Sequence, residues 1–256
     1  MMNWAGQVNI KNAAEILLMR EAGRINAQAL AVVKELLQPG VSTADLNAAA
    51  EESLRKNGAY SPFKNYGNPP YPASITVSIN EELVHGIPGK RKLKEGDIVS
   101  VDCGAVVNGF VGDSAFTAGV GEISQKAQKL LDTTQKALEI GIDQMRMGNF
   151  TGDVSSAIQD FVEGKGYHVT REYTVHGVGR QMHENPQVPN YGTAGTGIVF
   201  KPGMTIALEP MVLIGTDKTR VLSDQWTVVS ADGSLTAHFE HSVAVTEGEP
   251  LLLTVL

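Results

Sequence analysis

Two aspartates lie on a segment, residues 98–117, whose composition predicts a β-hairpin. The dipeptide Asn108-Gly109 accepts positive φ at both positions, so it favours a tight type I′ turn between apolar flanks. With these two residues in the turn, Gly104 pairs with Asp113, and Asp102 lies on the same face as Gly104. The two carboxylates are then diagonal neighbours, with Cβ atoms about 7 Å apart.

Carboxylates in so apolar a hairpin call for a hydrogen bond, a partner of opposite charge or a metal ion, because an unpaired buried carboxylate is costly. The alternative is a pair of solvated aspartates on the outer face of a sheet. A β-bulge at Gly112 would also change the register. The hairpin alone leaves these interpretations open.

The second half of the chain adds polar side chains in apolar surroundings. Glu209 follows one apolar run, and Glu240 lies within another. His176 and His183 flank a segment that contains two glycines. Each residue alone is a weak signal, because a single histidine or strand glutamate is more often an ordinary core or surface residue.

Taken together, two aspartates, two glutamates and a histidine can hold a pair of divalent ions. Four carboxylates offset the charge of two such ions, and metals about 3.5–4 Å apart can activate a shared water and polarise a carbonyl. A mostly oxygen ligand set with one imidazole suits Mn²⁺, Fe²⁺ or Co²⁺, and Zn²⁺ also fits. His238 and His241 are predicted to lie behind such a site or at the surface.

Competing motifs are missing from the sequence. There is no H-E-x-x-H, no paired C-x-x-C and no Walker loop, which argues against zincins, structural zinc sites and P-loop enzymes. The glycine-rich segment 192–197 lacks a following Lys-Ser or Lys-Thr, so we expect an ordinary turn there. There is no nucleophile elbow, and Cys103 should point away from the face that carries Asp102.

The composition favours a globular protein of the cytoplasm. A chain of 256 residues can form one large domain or two fused halves. No apolar run approaches the roughly 20 residues of a membrane span, and residues 1–6 lack the basic start of a signal peptide. A single cysteine suits a reducing compartment, and a net charge of −7 argues against nucleic acid as the main partner.

Each half of the chain is predicted to begin with a long helix and a short one. Asn12 caps the first, Ser42 or Thr43 the second, Ser124 the third and Asp153 the fourth. The predicted apolar face of the first helix comprises Leu18, Ala22, Ile25, Ala29, Val32 and Leu36.

The acid-bearing strands also repeat. Residues 93–102 align without a gap with residues 200–209, which places Asp102 over Glu209. We therefore predict one catalytic domain, residues 1–256, built from an internal repeat of about 12–120 and about 124–250 whose sheets pack together.

A set of motifs resembles the type I methionine aminopeptidases, and the likeness runs from the first helix almost to the C-terminus. The motifs are Asn80-Glu-Glu-x-Val-His85-Gly-Ile-Pro, Val101-Asp102-Cys-Gly, Gly112-Asp113-Ser, His176-Gly-Val-Gly, His183-Glu-x-Pro-Gln-Val, Ala207-Leu-Glu209-Pro and Phe239-Glu240-His. The resemblance implies a pseudo-twofold "pita-bread" α/β fold, with helices outside antiparallel sheets, in the short bacterial form.

The same resemblance implies roles for particular residues. The implied metal ligands are Asp102, Asp113, His176, Glu209 and Glu240, holding two ions of Co, Mn, Fe or Zn. The implied substrate contacts are His85 and His183, with a methionine pocket formed by Tyr66, Tyr71, Thr76, Met182 and Trp226. A hydroxide between the ions would attack the first carbonyl, Glu209 would move its proton to the leaving amine, and the two histidines would stabilise the developing charge.

The implied activity is removal of the N-terminal methionine from nascent polypeptides with a small second residue. The implied enzyme is a monomer that associates transiently with the ribosome and needs neither a membrane nor a specific nucleic acid. Alternatives are an aminopeptidase P or prolidase, which carry an extra N-terminal domain, and a metal-free creatinase-like amidinohydrolase. A non-catalytic module of the same fold is a further alternative, but the intact set of ligands favours a peptidase.

Overall fold

Four helices and fourteen strands form in residues 7–256, the part of the chain that this computed structural model describes. Residues 1–6, on which the prediction of a missing signal peptide rests, lie outside it. The helices are α1 (Ala13–Glu35), α2 (Thr43–Lys56), α3 (Gln125–Gln144) and α4 (Thr151–Gly164). The strands are β1 (Ile75–Ile79), β2 (Glu82–Val84), β3 (Ile98–Val107), β4 (Phe110–Gly119), β5 (His168–Val169), β6 (Thr174–Gly177), β7 (Glu184–Pro189), β8 (Thr205–Leu208), β9 (Met211–Leu213), β10 (Thr219–Val221), β11 (Val228–Ser230), β12 (Thr236–His238), β13 (Glu240–Ala244) and β14 (Leu251–Leu252).

The helix starts agree with the sequence except at α4. Three predicted caps are confirmed, at Asn12, Ser42 and Ser124. The prediction for Asp153 is wrong, because α4 begins at Thr151 and Asp153 is its third residue. The Asp153 carboxylate accepts a hydrogen bond from the backbone N–H of Phe150 at 2.7 Å. An acid at the third helical position accepts hydrogen bonds from the unpaired N–H groups at the helix start, as an N-cap residue does. This explains why the sequence pattern suggested Asp153 as the cap.

The buried face of α1 differs from the predicted one at its C-terminal end. Val33 is buried and Leu37 lies beyond the helix in the core, whereas Val32 and Leu36 are 40% and 37% exposed. Steps of three and four residues from Ala29 both stay near one face of a helix. Packing against the sheet, rather than the sequence pattern, determines that Val33 and Leu37 are buried instead of Val32 and Leu36.

The predicted hairpin is confirmed in β3 and β4. Gly104 pairs with Asp113, and Ala105 pairs with Gly112, so the ladder has no bulge there. Asn108 and Gly109 have φ values of 51° and 77°, the two left-handed conformations that a type I′ turn requires.

Helix α1 crosses the outer face of this hairpin at close range. A Cβ on Gly112 would lie 2.5 Å from the Cα of Gly23, so only glycine permits the crossing. The buried Asn26 side chain donates to the carbonyl oxygens of Cys103 and Gly112, which ties the helix to both strands.

The main sheet is antiparallel and has the order β1-β3-β4-β13-β8-β6-β7, with β14 paired to β13. Its two halves meet edge to edge, where Ala115 of β4 pairs with Glu240 of β13. The sequence predicts two sheets packed together, and this is wrong: the structure joins β1, β3 and β4 to strands of the second half in one sheet. The matching order of elements supports the predicted internal repeat, which stays a prediction.

Alternation along β3 separates the core from the site. Val99, Val101 and Cys103 pack among the residues of α1 and α2, in one apolar cluster. Asp102 therefore faces the opposite side of the sheet. Two smaller sheets, β10-β11-β2 and β12-β9-β5, complete the fold. Among the described residues, no helix combines the length and apolar character needed to cross a membrane.

Candidate active site

A cavity of about 520 Å³ brings together every residue that the sequence nominated for metal or substrate. The predicted ligands that line it are Asp102, Asp113, His176, Glu209 and Glu240, and the predicted substrate residues are Tyr66, Tyr71, Thr76, His85, Met182, His183 and Trp226.

The register of the main sheet gathers the acidic side chains. Ala115 pairs with Asp102 on one side and with Glu240 on the other, so the two carboxylates lie in one row across three strands. Asp113 is two residues from Ala115 and shares its face. Glu209 directly follows β8, the other neighbour of β13.

This cluster lacks the partners that carboxylates need. One Oδ atom of Asp102 and one of Asp113 are buried without a hydrogen-bond partner among residues 7–256. Burial raises the pKa of Asp113 to about 7, and burial together with Asp113 raises that of Glu209 to about 8. Burial and the neighbouring acids also raise the pKa of Glu240. Like charges held this close fit a site for cations, which would supply the missing partners.

His176 completes a compact ligand group. One ligand atom each of Asp113, His176 and Glu240 lie within 4.8 Å of one another. The Nδ1–H of His176 donates to the carbonyl oxygen of Gly177 at 3.0 Å, which leaves Nε2 with a free lone pair. Burial, reinforced by His183, lowers the pKa of His176 to about 3, so the imidazole is neutral. The donor set fits a divalent metal ion.

These shifts predict an unusual pH dependence for the metal-free protein. A carboxyl whose folded-state pKa is raised contributes stability at low pH that is lost as the pH rises through that value. The pKa values of Asp113 and Glu209 are about 7 and 8. The pKa of His176 is lowered to about 3, so His176 changes the stability mainly below its ordinary pKa. The free energy of unfolding in EDTA should therefore fall as the pH rises from 6.5 to 8.5.

Urea titrations with and without Mn²⁺ measure this effect. With the metal present the trend should reverse, because metal competes better with protons at high pH. Metal-free stability that rises across this range would contradict the account.

His85 lies outside the acidic cluster, on the wall of the cavity. It follows β2 with a φ of 61°, a left-handed conformation that is uncommon for a side chain and typical of functional sites. Its ring stands edge-on to Trp226 and Tyr173, at 6.2 and 6.1 Å between centroids. Burial, together with His183, lowers its pKa to about 4, so the ring is a neutral hydrogen-bonding group.

His183 is exposed at the mouth of the cavity, where the side chain of Tyr66 contacts it. Its Nδ1 lies 2.6 Å from the hydroxyl of Tyr66, and its ring centroid is 4.3 Å from that of His176. Tyr66 itself is 42% exposed. The structure therefore places Tyr66 at the rim, against His183, as well as beside the predicted methionine pocket.

An apolar pocket opens next to the carboxylates. Tyr71 and Met182 are buried in one cluster with Phe63, and Trp226 packs against it. The rings of Tyr71 and Trp226 meet edge-on at 5.2 Å between centroids. Thr76 pairs with Asp102 across β1 and β3, which brings the pocket directly beside the acids.

Of the two positions predicted for His238, behind the site or at the surface, the structure shows the first. His238 is fully buried, and its Nε2 lies 3.6 Å from Oε1 of Glu209. Other residues of this region were not predicted from the sequence. Tyr173, Phe63 and Met211 also line the cavity, and nothing in their local sequence marks them.

The comparisons with known proteins agree with this geometry. The family model of metallopeptidase family M24 matches residues 17–247. Among curated proteins, the methionine aminopeptidase of Clostridium acetobutylicum is 49% identical over 96% of this chain and 98% of its own length. Methionine aminopeptidase 1 of Bacillus subtilis is 48% identical over 93% of this chain and 95% of its own.

Solved structures give the same result. Methionine aminopeptidase from Thermotoga maritima superposes with a TM-score of 0.95 at 45% identity, covering 98% of this chain and all of that one. Prolidase from Pyrococcus furiosus shares the fold alone, with a TM-score of 0.78 at 22% identity over 65% of its length. The chain therefore belongs to metallopeptidase family M24, as a member of the methionine aminopeptidases.

Proposed function

We propose that this metal-dependent hydrolase removes the N-terminal methionine from nascent polypeptides, using two divalent ions held by Asp102, Asp113, His176, Glu209 and Glu240. The observation that carries the proposal is the convergence of these side chains, with unpaired buried oxygens, beside an apolar pocket. When bound, the ions would polarise the carbonyl of the first peptide bond and lower the pKa of a water. Co, Mn, Fe and Zn all suit the ligand set.

The remaining residues bind the substrate and move its protons. Glu209, which lines the cavity, would accept a proton from the attacking water and donate it to the leaving amine. His85 and His183 face the same space and can donate hydrogen bonds to the carbonyl oxygen or the leaving amide as negative charge develops.

The apolar pocket would take the methionine side chain. Tyr71, Met182 and Trp226 provide flat and flexible apolar surfaces, and Thr76 provides its edge toward the acids. The free N-terminal amine of the substrate would lie beside the metal ions, which would restrict the enzyme to chain ends.

A panel of peptides tests this proposal. We expect cleavage of Met-Ala-Ser and Met-Gly peptides, and little action on a formylated Met-Ala-Ser or on Met-Lys peptides. Formylation removes the free amine that would lie beside the metal ions, and the resemblance to the family implies a narrow site for the second residue. An Ala-Pro dipeptide serves as a control for prolidase activity. Rapid hydrolysis of the formylated or Ala-Pro substrate would overturn the proposal.

The family resemblance also supports a setting for this activity. We propose that the enzyme works in the cytoplasm as a monomer, on nascent chains, with a transient association with the ribosome. This setting requires neither a membrane nor a specific nucleic acid.

A further inference from the structure

The segment before α1 reaches the active site and carries a buried charge. Gln7 and Asn9 line the cavity. Lys11 is only 7% exposed, which is unusual for a lysine unless it is paired. Its Nζ lies 2.6 Å from Oε2 of Glu184, and the two side chains are 5% and 3% exposed.

Glu184 collects hydrogen bonds from both sides of this contact. Its Oε2 accepts from the Asn9 side chain at 3.1 Å, and its Oε1 accepts from the backbone N–H of Gln181 at 3.2 Å. Burial alone would raise the pKa of Glu184, but the hydrogen bonds from Lys11 and Asn9 hold it below its usual value. Glu184 is therefore an ionised and fully engaged group.

The Lys11–Glu184 pair contacts the loop of residues 177–183, which connects His176 to His183. Glu184 directly follows His183, and Gly177, next to His176, pairs with Glu184 across β6 and β7. A Cβ on Gly179 would lie 2.5 Å from Cε of Lys11 and 2.6 Å from Oε1 of Glu184. The Lys11 side chain thus lies flat against the middle of the loop.

Lys11 is itself held in place by hydrogen bonds. The backbone N–H of Lys11 donates to the carbonyl oxygen of Gly203 at 2.8 Å, just before β8. The Nζ of Lys11 also donates to the carbonyl oxygen of Asn9 at 3.2 Å. The ion pair therefore connects the loop to the main sheet through the N-terminal segment.

We propose that the Lys11–Glu184 ion pair is a positioning device that fixes the 177–183 loop and thereby sets the place of His183 against the substrate. The inference rests on the proposed role of His183. A buried ion pair adds little net stability over an apolar pair of the same volume, so a role in geometry explains its presence better than a role in stability. Displacing a catalytic group by about 1 Å can cost on the order of 10²-fold in rate.

The decisive variant replaces both partners, as Lys11→Met with Glu184→Met. This double variant leaves no unpaired buried charge, so it should fold with a melting temperature near that of the wild type. We expect unchanged metal content and a kcat lowered by about 10²-fold, with a much smaller change in KM. If the double variant does not fold, Lys11→Met with Glu184→Gln also leaves no unpaired buried charge and keeps an acceptor for Asn9 and the backbone N–H of Gln181, so it carries the same measurements.

A spectroscopic readout on the metal-free protein separates position from activity. The Tyr66 hydroxyl holds His183 Nδ1 at 2.6 Å, so the ¹⁵N shift of that nitrogen should have one fixed value in the wild type. In the double variant, the ¹⁵N chemical shift of His183 Nδ1 should move toward that of a histidine side chain in a solvent-exposed, flexible peptide.

A second ion pair on the same loop provides the matched control. Arg180 lies 3.3 Å from Glu15 of α1, but the two side chains are 63% and 26% exposed. Arg180→Gln should leave kcat and the His183 shift unchanged, because exposed pairs contribute little.

The outcomes distinguish this inference from the proposed function. A folded double variant with wild-type kcat and an unchanged His183 shift would overturn the positioning role, even with an active wild type. A wild type that does not cleave methionyl peptides would instead refute the proposed function, while the shift would still report on the ion pair.

Discussion

Asp113→Asn should lose most of its bound metal and most of its activity while remaining folded. Asp113 lies on β4, between the strands that carry Asp102 and Glu240, and is two residues from Ala115, which pairs with both of them. Residues that merely support a metal ligand typically contribute about 10–100-fold in affinity, so losing a direct ligand should cost at least ~10²-fold. Because burial raises the pKa of Asp113 to about 7, the amide also relieves repulsion in the metal-free protein.

Metal analysis and turnover on one preparation measure this effect. The metal-free variant should be at least as stable at pH 8 as the metal-free wild type. Asp132→Asn, an exposed aspartate of α3, is the matched control and should behave as the wild type. Full metal content with full turnover in Asp113→Asn would exclude Asp113 as a ligand.

His85→Ala should keep its metal and lose turnover. The ring is neutral, stands on the wall of the cavity and lies outside the compact ligand group. Removing a hydrogen-bond donor to developing negative charge typically lowers kcat by about 10²–10³-fold. KM should change much less, because the bond strengthens only in the transition state.

Steady-state kinetics beside metal analysis test the role of His85. His168→Ala is a suitable control, since His168 does not line the cavity. A large loss of metal from His85→Ala would make this histidine a ligand. A near-normal kcat would show that His85 has only a structural role in the turn after β2.

Local chemistry explains which parts of the fold the sequence predicted. The Asn108-Gly109 turn sets the register of β3 and β4 through its own backbone conformation, so the relation of Asp102 to Asp113 followed directly. The caps at Ser42 and Ser124 are equally local. These features depend on neighbours only a few residues away in the chain.

Other parts depend on contacts between distant segments. The seam between β4 and β13 joins Ala115 to Glu240, and no local pattern specifies that pairing. The end of the buried face of α1, at Val33 rather than Val32, depends on the sheet beneath it. The prediction at Asp153 failed because an acid at the third helical position resembles a cap.

The site shows the same division. Its acids stand out in apolar strands, and their types alone pointed to a metal pair. The resemblance to a family was needed to choose His176 as the ligand and His183 as the substrate contact. Tyr173 and Lys11 belong to segments without a chemical signature, and only folding brings Tyr173 to the cavity and Lys11 to Glu184.

If the acidic cluster holds metal for hydrolysis after an N-terminal methionine, activity must depend on the bound metal. The most direct test is to strip the protein with a chelator and follow bound metal and Met-Ala-Ser hydrolysis as Mn²⁺ is added back. We predict no hydrolysis without metal, recovery in proportion to the occupied sites, and saturation at two ions per chain. Hydrolysis that persists in the metal-free protein would contradict the account.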